Sequence, residues 1–159
     1  MTFHVRPAKA GDETLILTLL MELAVYEKLT DRFQITEAVI ARDYLCAQPL
    51  LECDLAFEGD RPVGIATWYW SYASFAARRG IYLEDLFVRP EFRGRGYGKR
   101  LLAGLAKRAM QAGGGHVDWA VLDWNKPSID FYDGIGAKAN RGWTGYRLSG
   151  AALEDMANE

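Results

Sequence analysis

YLEDLFVRPEFRGRGYG, residues 82–98, passes from an apolar strand carrying two carboxylates, through a proline, into a basic, glycine-rich turn. Gly94, Gly96 and Gly98 have no Cβ to hinder close approach, so consecutive backbone N–H groups can turn towards a pyrophosphate. A helix starting near Tyr97 adds the partial positive charge of its N-terminus. Residues Gly94, Arg95, Gly96, Tyr97, Gly98 and Lys99 are therefore read as an anion cradle, and Glu84 and Asp85 just upstream as an acidic site.

The rest of the chain supplies a scaffold for that turn. Phe3–Arg6 reads as an opening strand. Leu15, Leu19, Leu23 and Tyr26 then recur at helical spacing, in a helix that starts at Ala10–Asp12. A second helix is expected over Thr36–Leu45 with Thr36 as N-cap. Residues 51–70 read as a hairpin, with strands Leu51–Phe57 and Val63–Trp70 about a turn at Glu58–Arg61. Ser71–Gly80 is expected to be a loop, Ile81–Val88 the central strand, and Leu101, Leu102, Leu105 and Ala109 the apolar stripe of the helix that Gly113–Gly115 end. Val117–Leu122 alternates as a strand, Pro127–Ile135 forms a short helix, and Trp143–Leu148 a final strand. This order gives an α/β domain around a mixed sheet.

Composition narrows the function. The 159 residues are half hydrophobic, enough for one domain with a sizeable core. The net charge of −2 argues against a general nucleic-acid binder. That charge is unevenly placed: residues 11–60 hold eleven acidic against three basic residues, and residues 91–110 six basic against one acidic. One region suits a cation and the other an anion. Apolar runs such as Pro62–Trp70 are too short to span a bilayer, and the opening MTFHVRPAKAGDE lacks the apolar centre of a signal peptide, so no membrane association and a cytoplasmic location are expected. Cys46 and Cys53 have neither a disulfide-framework nor a zinc-site spacing; both are expected to be buried or half-buried free thiols, and no metal is expected.

The glycine turn does not fit the common nucleotide motifs. A dinucleotide-binding turn wants a further glycine where Lys99 stands, and a P-loop wants Ser or Thr where Arg100 follows Gly98-Lys99. It does fit RxxGxG, read as Arg93, Gly96 and Gly98, and here the chain resembles the GNAT N-acetyltransferases. MELAVYEKL (21–29), YLEDLFV (82–88) and LDWNKPSIDFYDGIGA (122–137) resemble the diamine (spermidine/spermine) N-acetyltransferase branch, in the same order along most of the chain. The resemblance implies one acetyltransferase domain over residues 1–159, with a mostly antiparallel central sheet flanked by helices.

It also implies acetyl-CoA as acyl donor and a primary amine as acceptor. The amine must attack unprotonated, yet an alkyl ammonium with a pKa near 10 is neutral in about one molecule per thousand at pH 7, a cost of about 4 kcal/mol. Carboxylates help to bind the ammonium, and help catalysis when one accepts the proton. The resemblance implies that Glu84 contacts the amine and organises a proton-accepting water; Asp85, its neighbour on a strand, is expected to point to the opposite face. Tyr26 and Glu27 match positions lining the polyamine channel, against the plainer reading of a stripe residue and an exposed acid. Asp118 and Trp119 lie on the strand expected to flank the pocket, with a core role weighed for Trp119. The resemblance makes Tyr132, one helical turn after Ser128, the general acid for the leaving thiolate, and makes Asn125 and Ser128 cofactor contacts. Leu86, Phe87 and Val88 follow as main-chain contacts to the pantetheine arm. It further implies a homodimer through WTGYRLSGAALEDMANE. A catalytically silent acyl-CoA-binding module and a protein-amine acceptor remain open on the sequence; Arg78 and Arg79 argue against a long polycation such as spermine and leave a short diamine, spermidine or a thialysine-like amino acid as acceptor.

Overall fold

Strand β2 (Glu52–Glu58) is buried on both faces, although Asp54 and Glu58 stand among its apolar residues. Its alternation sends Cys53, Leu55 and Phe57 into a core with Ile16, Leu19, Leu20 and Leu23 of helix α1 (Glu13–Glu27) and Ile40 of α2 (Glu37–Asp43). Asp54 and Glu58 turn the other way, to helix α3 (Tyr97–Gln111). There Arg108 binds Asp54 bidentately, and Tyr97 and Arg95 meet Glu58. The computed structural model describes residues 2–159, which form two compact units, one ending at Trp124 and one spanning Asn125–Glu159.

In the first unit, β1 (Phe3–Pro7), β2, β3 (Arg61–Ala73), β4 (Arg78–Val88) and β5 (Val117–Asp118) form one sheet in that order. Every pairing is antiparallel except β4 with β5. The mixed, mostly antiparallel α/β class is thus as expected, although β4 stands fourth of the five strands rather than at the centre. Two ion pairs fasten α1. Arg6 grips Asp12 at its start with bonds of 2.7 and 2.8 Å, and Arg89, after β4, grips Glu22 with bonds of 2.7 and 2.9 Å. The helix closes at Lys28, in the left-handed region at φ 60°. Thr36 caps α2 by accepting from the Val39 N–H.

Three expected elements differ. Most of Ser71–Gly80 is not loop: β3 runs on to Ala73, β4 starts at Arg78, and only Ser74–Ala77 turns, with Ala73 opposite Arg78. Aromatic residues through Tyr72 carry the ladder past the expected end of the strand at Trp70. The strand expected over Val117–Leu122 pairs only at Val117 and Asp118. Beyond them β4 contains a bulge, which bends a strand away from its neighbour. Trp119 consequently lies past the end of β5 and is half-buried, not core.

The second unit consists of α4 (Lys126–Gly134) and α5 (Ala151–Ala157) with irregular chain between. The expected strand Trp143–Leu148 is absent: no other strand exists among the described residues of this unit, and a lone strand leaves its backbone unpaired. Helix α5 has no counterpart in the sequence reading. Cys53 is buried as expected, but Cys46 is exposed, and both are free thiols. No helix among the described residues is long and apolar enough to cross a membrane.

Candidate active site

The glycine turn has the backbone that its sequence requires. Gly94 and Gly96 stand at φ 75° and 78°, where a side chain strains the chain, and no atom lies within 4 Å of where a Cβ would be at either. The turn therefore borders open space that a side chain would occupy. Gly96 is the N-cap of α3, and its carbonyl receives the first helical bond, from the Arg100 N–H. The N–H groups of Tyr97, Gly98 and Lys99 precede that bond and have no partner within the helix. Together these features fit a phosphate-bearing ligand.

The side chains of the turn are tied to the sheet. Glu58 accepts from Arg95 at 2.9 Å and from the Tyr97 hydroxyl, and these two bonds, Tyr97 first, hold its carboxyl below the ordinary range. Tyr97 is buried and stacks on Phe3 with ring centres 4.2 Å apart, and Arg100 lies over the other part of that stack, 4.2 Å from the Phe3 centroid. Tyr97 and Arg95, both expected to touch the cofactor, thus have side chains that serve the loop; what they offer a ligand is main chain.

The end of β4 has an open edge. Leu83–Val88 pairs with β3, but among the described residues only Ile81 and Tyr82 pair with β5. The Arg89 N–H donates to the Val63 carbonyl of β3. Strand alternation therefore turns the main-chain groups of Val88 and Leu86 outward and those of Phe87 inward. The Phe87 carbonyl indeed lies against Gly64 of β3, 2.6 Å from where a Cβ would stand there. Of the three expected main-chain contacts, Leu86 and Val88 face the open edge and Phe87 does not. The Val88 carbonyl already accepts from Arg93 Nε at 2.9 Å.

Glu27 at the end of α1, Tyr44 just after α2 and the two carboxylates of β4 act on one another electrostatically. Thr67 opposes Asp85 and Trp68 opposes Leu83, so Glu84 is the extra residue of the bulge. A bulge breaks strict alternation, so the strand pattern no longer sets where Glu84 points; Asp85 is half-buried and Glu84 exposed, and both carboxylates act on the phenol of Tyr44. Burial first, then Asp85, Cys53, Glu84 and Asp43 push that phenol up to about 12. Burial raises the Asp85 carboxyl, opposed by a hydrogen bond from Thr67 Oγ1 and reinforced by Glu84. Burial and then Asp85 raise that of Glu27, at the end of α1. Among the described residues none of Glu27, Glu84 and Asp85 enters an ion pair. Three carboxylates without a cation make a site that favours an incoming ammonium. Asp118 stands apart from them in its contacts, exposed and 3.7 Å from His116 Nε2.

In the second unit Asn125 is buried and caps α4, its Oδ1 accepting from the Ser128 N–H at 3.4 Å. Ser128 and Tyr132 follow on that helix, both half-buried, and the Tyr132 ring lies 5.3 Å from that of Phe131.

The acetyltransferase (GNAT) family model matches residues 22–137, from α1 to just beyond α4. The chain belongs to the GNAT acetyltransferase family. Thialysine N-epsilon-acetyltransferase of Bos taurus is 37% identical over 98% of this chain and 97% of its own length. An L-ornithine N5-acetyltransferase of Arabidopsis thaliana is 32% identical over 97% of this chain and 87% of its own length. A V. cholerae integron cassette protein of known structure shares the fold with a TM-score of 0.83 at 24% identity, covering 100% of this chain and 99% of that one. The GNAT chain is accordingly an N-acetyltransferase of amine acceptors, and the donor in this family is acetyl-CoA.

Sequence reading missed several residues that build this GNAT site. Tyr44 follows an amphipathic helix and carries no motif. Thr67 sits inside an apolar strand, where only a buried hydroxyl in need of a partner could have marked it. Arg95 reads as part of the cradle, but its partner Glu58 does not, and the two are far apart in sequence. Arg89 and Glu22 are too, and nothing local announces either pair.

Proposed function

We propose that this enzyme acetylates the side-chain amine of a short basic amino acid of the thialysine or ornithine kind. The observation that carries the reading is the pair Glu27 and Asp85, both partly desolvated, with the exposed Glu84 beside Asp85 and no cation paired to any of the three among the described residues. Two relatives that match nearly the whole chain are named for amino-acid acceptors of this kind. Arg78 and Arg79, exposed at the start of β4, disfavour a long polycation along the same strand.

Acetyl-CoA fits the cradle of Gly94–Lys99 and the outward main-chain groups of Leu86 and Val88, and would supply the acetyl group as an activated thioester. The chain's own residues do the rest. Glu27 and Asp85 hold the ammonium. Glu84, exposed at the bulge, accepts its proton as the amine attacks. Tyr132 donates its phenolic proton to the departing sulfur, and Asn125 and Ser128 at the start of α4 hold the cofactor near it. Tyr26, at the end of α1 beside Glu27, lines the acceptor side, as Asp118 and Trp119 do beyond β4.

The two units act as one N-acetyltransferase domain over residues 1–159; the family match runs across the boundary at Trp124. A cytoplasmic setting, where thiols stay reduced, suits the two free cysteines. Trp143, Tyr146, Leu148, Leu153 and Met156 leave an exposed apolar set in the second unit, which a homodimer would cover. Sedimentation at working concentration should show a dimer, and a monomer would refute it.

The deciding experiment measures thiol release from acetyl-CoA with a panel of amines. Thialysine, ornithine and short diamines should react faster than spermine. Preference for spermine would overturn the acceptor class, and no release with any amine would return the chain to a silent acyl-CoA-binding module.

A further inference from the structure

Thr67 is fully buried in β3, in line with Val63 and Ile65, which are equally inaccessible. A hydroxyl in such a place must find a partner, because leaving it unbonded costs the desolvation of a polar group. The sheet register gives it one. Thr67 stands opposite Asp85, and its Oγ1 donates to Asp85 Oδ2 at 2.5 Å. On the other side Cys53 of β2 is its register partner. The row Cys53–Thr67–Asp85 thus crosses three strands beside the apolar row Leu55–Ile65–Phe87, and Asp85 is its half-buried end.

One residue further along, the bulge leaves Glu84 with no partner across the ladder. The two neighbouring carboxylates therefore differ in freedom: Asp85 is held by one oxygen from inside the sheet, and Glu84 is exposed on a bent strand. We propose that Thr67 is the positioning residue of the acceptor site, fixing Asp85 Oδ2 so that Oδ1 stays aimed at the amine while Glu84 moves with the proton. The inference rests on the amine-acceptor reading given above. A hydroxyl that donates to a carboxylate also favours its charged form. That matters here because the groups around Asp85 do not: Glu27 of α1, Tyr44 of α2, Cys53 of β2 and Glu84 of β4 are acids or neutral, and burial adds to their effect. Without Thr67, the acid that binds the ammonium protonates at higher pH.

Thr67→Val keeps the volume and removes the donor. The amine KM, measured with thialysine, should rise about tenfold, as for loss of one hydrogen bond to a charged group. The acid limb of kcat/KM should move to higher pH, and acetyl-CoA affinity by calorimetry should hold. Thr67→Ser should restore both amine readouts. A folded Val variant with a lower melting temperature but unchanged amine KM and pH profile would make the bond merely structural and overturn the proposal. If the Val variant does not fold, the carboxyl carbon-13 signal of Asp85 in the wild type decides. It should move on adding thialysine without acetyl-CoA, and a signal unmoved at saturating amine would equally overturn it. Wild-type turnover is measured first, so that failure of the amine reading itself, seen as no thiol release, stays distinct from failure of the role given to Thr67.

Discussion

Arg93 holds its guanidinium carbon 4.5 Å from the centre of the Tyr26 ring while its Nε donates to the Val88 carbonyl. Tyr26 in turn meets Trp124, with ring centres 6.1 Å apart, and Lys28 lies 5.2 Å over the Trp124 ring. The first residue of the glycine motif is thereby coupled to the end of the helix that carries Glu27. Arg93→Gln should raise the KM for amine as well as that for acetyl-CoA. A double-mutant cycle with Tyr26→Leu should return a coupling of about 0.5–1 kcal/mol. Strict additivity of the two changes would show that the stacked pair transmits nothing.

Gly96 tests the cradle. At φ 78° a β-branched residue is strained by about 1–2 kcal/mol, so Gly96→Val should lower the melting temperature by several degrees. Its affinity for acetyl-CoA should fall by more than tenfold where the protein is still folded. Gly104, inside α3 with nothing within 4 Å of its Cβ position, is the control. Gly104→Ala should raise stability by about 0.5–1 kcal/mol and leave affinity alone. Unchanged affinity in the Gly96 variant by calorimetry would place the phosphates elsewhere.

The parts legible in the sequence were those with a local cause. The stripe on α3, the Thr36 cap and the glycines of the turn announce themselves within a few residues. The bulge at Glu84 does not, because it is a mismatch of register between β3 and β4, and register is a property of two strands. That single offset removes the strict alternation on which the expected opposite facing of Glu84 and Asp85 rested. It also bends β4 where its pairing with β5 stops. Trp143–Leu148 failed for a related reason: its aromatic residues suit a strand, but a strand exists only where another offers an edge. The ties of Glu58 to Tyr97 and of Thr67 to Asp85 join residues 39 and 18 positions apart, and no window of sequence contains their reason.

Tyr132→Phe keeps the ring and its contact with Phe131 but removes the proton proposed for the leaving sulfur. Turnover should fall by about 10- to 1,000-fold, with acetyl-CoA binding and the melting temperature nearly intact. The alkaline limb of the pH–rate profile, where the phenol would ionise, should disappear. A Phe variant that keeps wild-type turnover and an unaltered profile would remove Tyr132 from the mechanism.

Glu84 and Asp85 should separate in opposite ways when neutralised. Glu84→Gln removes the exposed proton acceptor, so kcat should fall and its rise with pH should shift, while acetyl-CoA binding is unchanged. Asp85→Asn removes an anchor, so the amine KM should rise most. It should also change stability, with a sign fixed by the direction of the Asp85 shift. Burial raises the folded-state carboxyl above its ordinary value of 3.8. The native state therefore holds this proton more tightly than the unfolded chain, and stability falls as pH climbs from the unfolded value through the folded one. At neutral pH the Asp85 carboxylate is a destabilising charge, which the proposed ammonium would offset. Asp85→Asn should raise the melting temperature at pH 7 and change it little at pH 3. Thialysine should stabilise the wild type but not the variant. A variant less stable than wild type at pH 7, with an unchanged amine KM, would mean that Asp85 serves the sheet through Thr67 and not the substrate.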